Sequence, residues 1–533
     1  MAEAYASDAV SALGDAMGKL IGAEHVAADE DTRALYSQDV YSKGGLVDLV
    51  ARPANAQEAA ACLKACADAG FAVFPRGGGM SYTRAFISDR PGGVCLDTAR
   101  MNRVLEINAG DMYVRAEAGC SWADLHKALK PTGLRTPFWG PLSGISSTVG
   151  GGLSQNNAFF GAGTHGPTGE SVLSVSVALP DGSILKTGTG GTRGASPFFR
   201  HYGPDLTGLF AGDAGALGVK VEIVFKLIPA PAHERWGSFS FSDRDAMANA
   251  MAGLARLNLA CEVFGFDPGL TAVRMQRASL LADAKTLAKV VTGQGNLLKG
   301  MAEGAKMALA GRSFLDEADY NLHFVVEGAS AAGVADAYAA CVKVCEAHRG
   351  KSVEPTIPKV IRANPFTPLN NMIGPQAERW VPVHGIVPNS SGPACWAEID
   401  AYFATLKPRF EAEGVMTGFL TTTLGATGYL IEPVFLWPEG LYPLHEASVE
   451  ADYLKSLKPK PANPAAGALV AEARQGVIDI FTAHGAAHFQ IGRAYPYAQT
   501  REPGSLALLK SIKAALDPHG VINPGALGLG GEA

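Results

Sequence analysis

The spacing of apolar residues along this chain changes period several times, and each change predicts an element. In "NAQEAAACLKACADAG" apolar positions recur every three or four residues, which predicts a helix capped by Asn55 and stopped at Gly70. The flanking runs "VDLVARPA" and "FAVFPRG" read as strands, as does "GVCLDT". "RVLEINAGDMYVRAEAG" alternates apolar and polar residues on both sides of a turn at "NAGD". "SWADLHKALKPTG" predicts a capped helix ended by Pro131 and Gly133, and "VLSVSVALPDGSILKTG" a hairpin turning at "PDG". "GVKVEIVFKLI" is a further alternating strand. The layout is α+β, with no regular βαβ repeat.

Past the "PAPAHERW" junction the mixture changes. Helical periods in "DRDAMANAMAGLARL" and "AAGVADAYAACVKVCEAH" sit among alternating strands such as "YNLHFVVEG" and "YLIEPVFLW", and "LKPKPANPAAG" reads as a surface loop. The expected organisation is a first domain over 1–235, a second over 236–488, and a terminal segment 489–533 made of a helix and a Gly/Pro-punctuated loop. A chain of 533 residues exceeds one ordinary core, and 47% hydrophobic with 18% charged residues argues for folded domains. A net charge of -6 with no Lys/Arg block excludes nucleic acid as an expected partner. No apolar run reaches the length of a membrane span, and the N-terminus reads as a surface helix and not a signal peptide. The eight scattered cysteines, without a C-x-x-C, suit free buried thiols in a cytoplasmic protein.

Two glycine clusters carry the first chemical signal. "FPRGGGMSYT" follows a strand, and "SGISSTVGGGLSQNN" lies downstream. Bare backbone can curl successive N–H groups around one anion, so two such loops could clamp a pyrophosphate; two ligand-free turns would read the same from spacing alone. "GAGTHG", Gly161 to Gly166, matches G-x-G-x-x-G literally, but no strand precedes it and Pro167 comes next, so the nicotinamide reading fails on context. No phosphate-binding G-x-x-x-x-G-K-[ST] occurs.

With "PRGGGMSYT", "TVGGGLSQNNAFFGAGTHGPTGESVLSVSVALPDGSILKTGTG", "YGPDLTGLFAGDAGALGVKVEIVFKLIP" and the terminal "LDPHGVINPG" in order, the chain resembles the FAD-linked oxidases typified by vanillyl-alcohol oxidase and p-cresol methylhydroxylase. That family also includes glycolate-oxidase and D-lactate dehydrogenase flavoproteins. The resemblance implies a two-subdomain FAD-binding domain of the p-cresol methylhydroxylase type plus an α+β cap that supplies the substrate pocket. It implies FAD with its pyrophosphate on the backbones of Arg76, Gly77, Gly78, Gly79 and Met80 and of Thr148, Val149, Gly150, Gly151 and Gly152. It further implies Ser81 and Asn156 near the flavin, Gly215 and Gly218 permitting close approach, and the segment with Asn523 folding back onto the same domain.

For catalysis the resemblance points to Arg493 in "HFQIGRAYPY", where the phenol-oxidising branch has an arginine that binds the phenolate oxygen, and to Tyr82 as a second phenolate partner. The tyrosine usual before that arginine is Gly492 here, so the triad is incomplete. His384 lies near where some relatives attach flavin or place a base, and Glu432 puts a carboxylate in an apolar strand; each is either a proton handler or a structurally paired residue. Arg379 and Trp380 are further candidates for the pocket. His484 and His488 share i,i+4 spacing on an expected helix, but the H-x-G-D-G-N-x-H and G-E-H-G-I-G metal motifs of the hydroxy-acid branch are missing, so no metal is expected. The expected function is transfer of hydride from a para-substituted phenol or aromatic alcohol to FAD. The alternatives are a metal-independent D-2-hydroxy acid dehydrogenase and, less favoured, a non-redox FAD enzyme. Oxygen, a cytochrome or another carrier would reoxidise the flavin, and the family habit suggests a homodimer.

Overall fold

The computed structural model describes residues 7–277 and 319–530, the last four before the gap by backbone alone. These residues form two compact units: 7–157, 167–230 and 489–530 in the first, and 158–166, 231–277 and 319–488 in the second. The segment Ala158–Gly166, which contains the whole "GAGTHG" run, therefore packs with the second unit although the sequence kept it in the first domain. Gly163 explains this: its N–H donates to Cys261 O at 2.8 Å, and a Cβ there would stand 2.4 Å from Ala260 O.

The first unit holds two sheets. A four-stranded one runs Val26–Ala27, Leu49–Ala51, Val94–Asp97, Val73–Arg76, with its last three strands parallel. The helix Ala56–Asp68 connects two of them, a single βαβ crossover, and the Asn55 side chain accepts from Glu58 N–H as a cap should. The second sheet is antiparallel, in the order Val104–Asn108, Tyr113–Glu117, Val219–Lys226, Val172–Ala178, Ile184–Lys186. In the N-terminal helix Ser7–Ile21, Leu13, Met17 and Ile21 recur every fourth residue and bury one stripe. That stripe joins a core with Leu63, Phe71, Val73, Leu96, Val221 and Ile522.

Ile522 belongs to the terminal segment, which bonds along the edge of the four-stranded sheet: Val73 N–H donates to Val521 O and Asn523 N–H to Val73 O, each at 2.8 Å. A buried lysine fastens it. Lys513, on the helix Pro503–Leu516, donates to Asp517 Oδ2 at 2.6 Å and to the carbonyls of Ala216 and Ile522 at 2.7 Å.

The second unit is an eight-stranded antiparallel sheet: Lys351–Ser352, His233–Phe241, Tyr320–Gly328, Glu262–Phe266, Met416–Thr423, Gly428–Trp437, then Arg379–Pro382 and Gly385–Pro388 both on the last of these. His233–Trp236, read from sequence as junction, is thus the start of a strand. One face carries helices. A Cβ on Gly265 would meet Met247 of helix Arg244–Leu257 at 2.2 Å, Phe435 packs on Phe403 of Gly392–Glu413, and Phe324 on Tyr338 of Ala331–Ala347. Period-two alternation therefore puts Phe264, Phe266, Leu420, Thr422, Leu430 and Glu432 on the opposite face, all in matching register. No described helix is long and apolar enough to cross a membrane.

Replacing Lys513 by Met leaves the fully buried Asp517 carboxylate uncompensated. The first unit is expected to lose about 3–5 kcal/mol of unfolding free energy, measured by denaturant unfolding monitored on that unit.

Candidate cofactor site

The strand Val73–Arg76 ends in the glycine triplet, where the backbone presents a run of unspent donors. The amides of Gly77, Gly78, Gly79, Met80 and Ser81 donate to no acceptor among the described residues. Each glycine has its own steric reason. A Cβ on Gly77 would stand 2.4 Å from Thr148 Oγ1, and one on Gly78 only 1.9 Å from Ser146 O, so the two glycine loops are in backbone contact. Gly79 has φ of 72°, the left-handed region.

Beside this nest lies a buried cation without a hydrogen bond. Arg76 is 8% exposed, and its guanidinium donates to no oxygen among the described residues. It is held instead between rings, 4.3 Å from the centroid of Tyr36 and 5.5 Å from that of Phe86. Tyr36 is oriented by donating to Asp97 Oδ2 at 2.9 Å; burial raises its pKa, with the Asp97 charge adding to the effect. Sequence reasoning passed over Tyr36 and Phe86, since nothing local marks an aromatic residue as the wall of a site formed by a distant part of the chain. Five successive N–H groups without acceptors beside a guanidinium suit a doubly anionic group such as a pyrophosphate.

The downstream loop plays a different part from the one expected. Val149 N–H donates to Cys120 O and Gly150 N–H to Ala118 O, Gly151 N–H is taken by Thr148 Oγ1, and Gly152 N–H by Thr148 O. Val149 to Gly152 therefore supply clearance and no donors: a Cβ on Gly150 would be 2.6 Å from that of Ala118, and one on Gly152 2.8 Å from Trp122 Nε1. Ser81 lies buried at the end of the nest, its hydroxyl 3.0 Å from Thr83 Oγ1. Asn156 closes the helix Val149–Gln155 in the left-handed region and accepts Gly169 N–H at 2.9 Å. Gly215 abuts Pro75, where a Cβ would stand 3.1 Å from Cγ, and Gly218 abuts Val177 at 2.3 Å; both fit strand packing, and Gly215 N–H is spent on Asp213.

Arg493, expected to hold a substrate anion, spends both terminal nitrogens inside the protein. Its Nη1 donates to Arg84 O at 2.8 Å and Ala85 O at 3.2 Å, and its Nη2 to Asn523 Oδ1 and Pro524 O, both at 2.7 Å. Burial holds its pKa down at about 10, with Asp89 pulling the other way. Asn523 is likewise consumed, donating to Ala85 O and Ala214 O, so it is a strut and no ligand. Arg493 and Ala494 N–H both donate to Thr83 O, and a Cβ on Gly492 would be 2.2 Å from that same carbonyl. The position before the arginine has no room for a tyrosine. Together these residues clamp the terminal segment onto Thr83–Ala85, immediately after the nest. Tyr82 sits between nest and clamp, partly buried.

In the second unit, His384 is fully buried between strands Arg379–Pro382 and Gly385–Pro388. Burial, helped by His488 and Arg474, holds its pKa well below the usual range, so its imidazole is neutral. Its carbonyl accepts from His488 Nδ1 at 2.8 Å. The expected His484/His488 helix pair does not form: the helix Pro464–Ala483 ends first, and His484 turns to Glu398 at 2.8 Å. Glu432 is partly buried on the sheet face opposite the helices. Arg379 lies between Trp437 and Tyr442 with Glu439 at 3.3 Å, an aromatic and ionic packing role.

The nest, the parallel βαβ edge and the second antiparallel sheet define a flavoprotein fold, in which FAD is the cofactor. Residues 47–188 match the FAD binding domain, and 491–527 the C-terminal domain of FAD linked oxidases. The fold is that of p-cresol methylhydroxylase (TM-score 0.73, 16% identity, 98% of each chain) and of 4-ethylphenol oxidase from Gulosibacter chungangensis (0.67, 17%, 98% of each). By sequence it is 30% identical over 279 residues to a mitochondrial D-lactate dehydrogenase [cytochrome] of Arabidopsis thaliana, covering 50% of this chain and 47% of that one. It is 28% identical over 223 residues to the glycolate oxidase subunit GlcD of Bacillus subtilis, covering 42% and 46%. The chain thus spans about half the length of these curated relatives.

Two substitutions separate the roles of the two arginines. Arg76→Ala is expected to weaken FAD binding about 10- to 100-fold in titrations of the apoprotein, the loss of a charge-assisted contact. Arg493→Ala is expected to lower the FAD content and thermal midpoint of the purified protein; a fully loaded, equally stable protein with a raised KM would restore the substrate-holding role.

Proposed function

We propose that this chain is an FAD-dependent oxidoreductase acting on an aromatic substrate, a para-substituted phenol or aromatic alcohol. FAD, when bound, supplies a hydride acceptor for a C–H next to oxygen or on a benzylic carbon. The observation that carries the reading is the ring-rich face of the second unit's sheet. Phe159 lies 5.6 Å from Phe264 and 4.9 Å from Phe160, Phe264 lies 5.7 Å from Phe266, and Phe160 6.0 Å from Phe366. These largely buried rings pack edge-on and tilted into an apolar wall, the kind of surface that lines sites for flat aromatic molecules. Glu432 and Thr422 are polar residues on that face, and Glu432 is the candidate acceptor for a substrate proton. Neutral His384 and Tyr82 are the remaining proposed participants.

Similarity to D-lactate dehydrogenase and to a glycolate oxidase subunit favours a second reading, a D-2-hydroxy acid as substrate. With Arg493 committed to carbonyls, that reading needs another cation for the carboxylate.

The test is anaerobic mixing of the purified flavoprotein with para-hydroxybenzyl alcohols, para-alkylphenols and D-2-hydroxy acids, read as bleaching of the flavin's visible band. Bleaching by phenols alone is expected, with Glu432→Gln slowing it about 100-fold or more. Bleaching by D-lactate alone would install the second reading. Reoxidation by air or only by an added carrier then distinguishes oxidase from dehydrogenase.

A further inference from the structure

The chain is acidic overall, yet residues 182–204 contain no Asp or Glu and include Lys186, Arg193, Arg200 and His201. The same stretch carries a cluster of exposed rings: Phe198 is 53% exposed, Phe199 49% and Tyr202 68%, with Leu206 at 47% just beyond. The Phe198 and Phe199 rings lie 6.3 Å apart and the His201 ring 6.5 Å from Phe199, so these side chains form one exposed cluster.

The exposure is fixed by the fold and does not come from fraying. Thr189 N–H donates to Phe199 O at 2.9 Å, Phe199 N–H to Thr189 Oγ1 at 3.1 Å, and that hydroxyl to Ser196 O at 2.8 Å. Arg200 is bound to Asp205 at 2.8 Å, which neutralises the nearest acid. Arg193 and His201 stay exposed on either side of the rings. Apolar side chains held out in water are costly, and so large a cluster marks a contact surface.

We propose that this loop docks onto an anionic lipid surface. Phe198, Phe199 and Tyr202 enter the interfacial layer while Arg193, His201 and Lys186 meet the headgroups. Aromatic insertion and basic charge are the two signals that reversible surface binding requires. An exposed ring cluster flanked by basic side chains, in a stretch without acids, suits the headgroup layer of an anionic bilayer. The proposal is independent of the substrate assignment.

The test is co-sedimentation of the FAD-loaded protein with vesicles of equal parts phosphatidylglycerol and phosphatidylcholine, against pure phosphatidylcholine, at low and high salt. Binding to the anionic vesicles at low salt is expected, reduced about tenfold or more in Phe198→Ser/Phe199→Ser and weakened in Arg193→Glu. FAD content and thermal midpoint of both variants check their folding. No binding by the unaltered protein, or unchanged binding by the folded double variant, overturns the proposal. A drop in solution mass on Phe198→Ser/Phe199→Ser would assign the rings to a second copy of this chain and overturn it as well.

Discussion

Buried or half-buried donors without acceptors are costly, by about 1–3 kcal/mol each and more for a charge. The first unit gathers five such amides and a guanidinium at one point, the end of the strand Val73–Arg76. No local rearrangement would satisfy them, because Gly77 and Gly78 are locked against Thr148 and Ser146 and the guanidinium is held between Tyr36 and Phe86. The protein therefore presents preorganised donors of the kind that stabilise an anion. Its other features serve that geometry: glycines where two backbones touch, a left-handed turn at Gly79, and a second loop that spends its own amides internally so that it can stand close.

Preorganisation has to be enforced, and the enforcement comes from the far end of the chain. The terminal segment reaches the nest through Arg493, whose four donated hydrogen bonds tie Arg84 and Ala85 to Asn523 and Pro524. Lys513 secures the same segment through buried contacts with Ala216, Asp517 and Ile522. An arginine whose two terminal nitrogens are both taken up by carbonyl groups is a cross-link. This is why a residue that resembles a phenolate binder by position is a structural clamp by chemistry.

The second unit divides its labour by face. Helices cover one side of the antiparallel sheet through Met247, Phe403 and Tyr338, and the other side presents rings with Glu432 among them. The strand alternation that makes a core on one side makes a chemically distinct surface on the other at no additional complexity. The aromatic loop at 198–202 takes part in neither task, because it projects from the first unit into solvent.

Local sequence was sufficient wherever the determining interactions are local. The helix at Ala56–Asp68 follows from its apolar period and Asn55 cap, the 172–186 hairpin from alternation and "PDG", and the turn after Arg76 from a glycine triplet following a strand. It failed where the partner lies far along the chain. Nothing near Arg493 reveals that Arg84, Ala85 and Pro524 would present carbonyls to it, and nothing near Arg76 announces Tyr36. His484 and His488 looked like a helical pair because periodicity does not show where a helix stops. Composition and spacing thus determined the elements and the α+β class, since each depends on neighbours within a few residues. Which polar groups are spent and which remain available was decided only by tertiary structure, because a donor's availability depends on the acceptors folding brings to it.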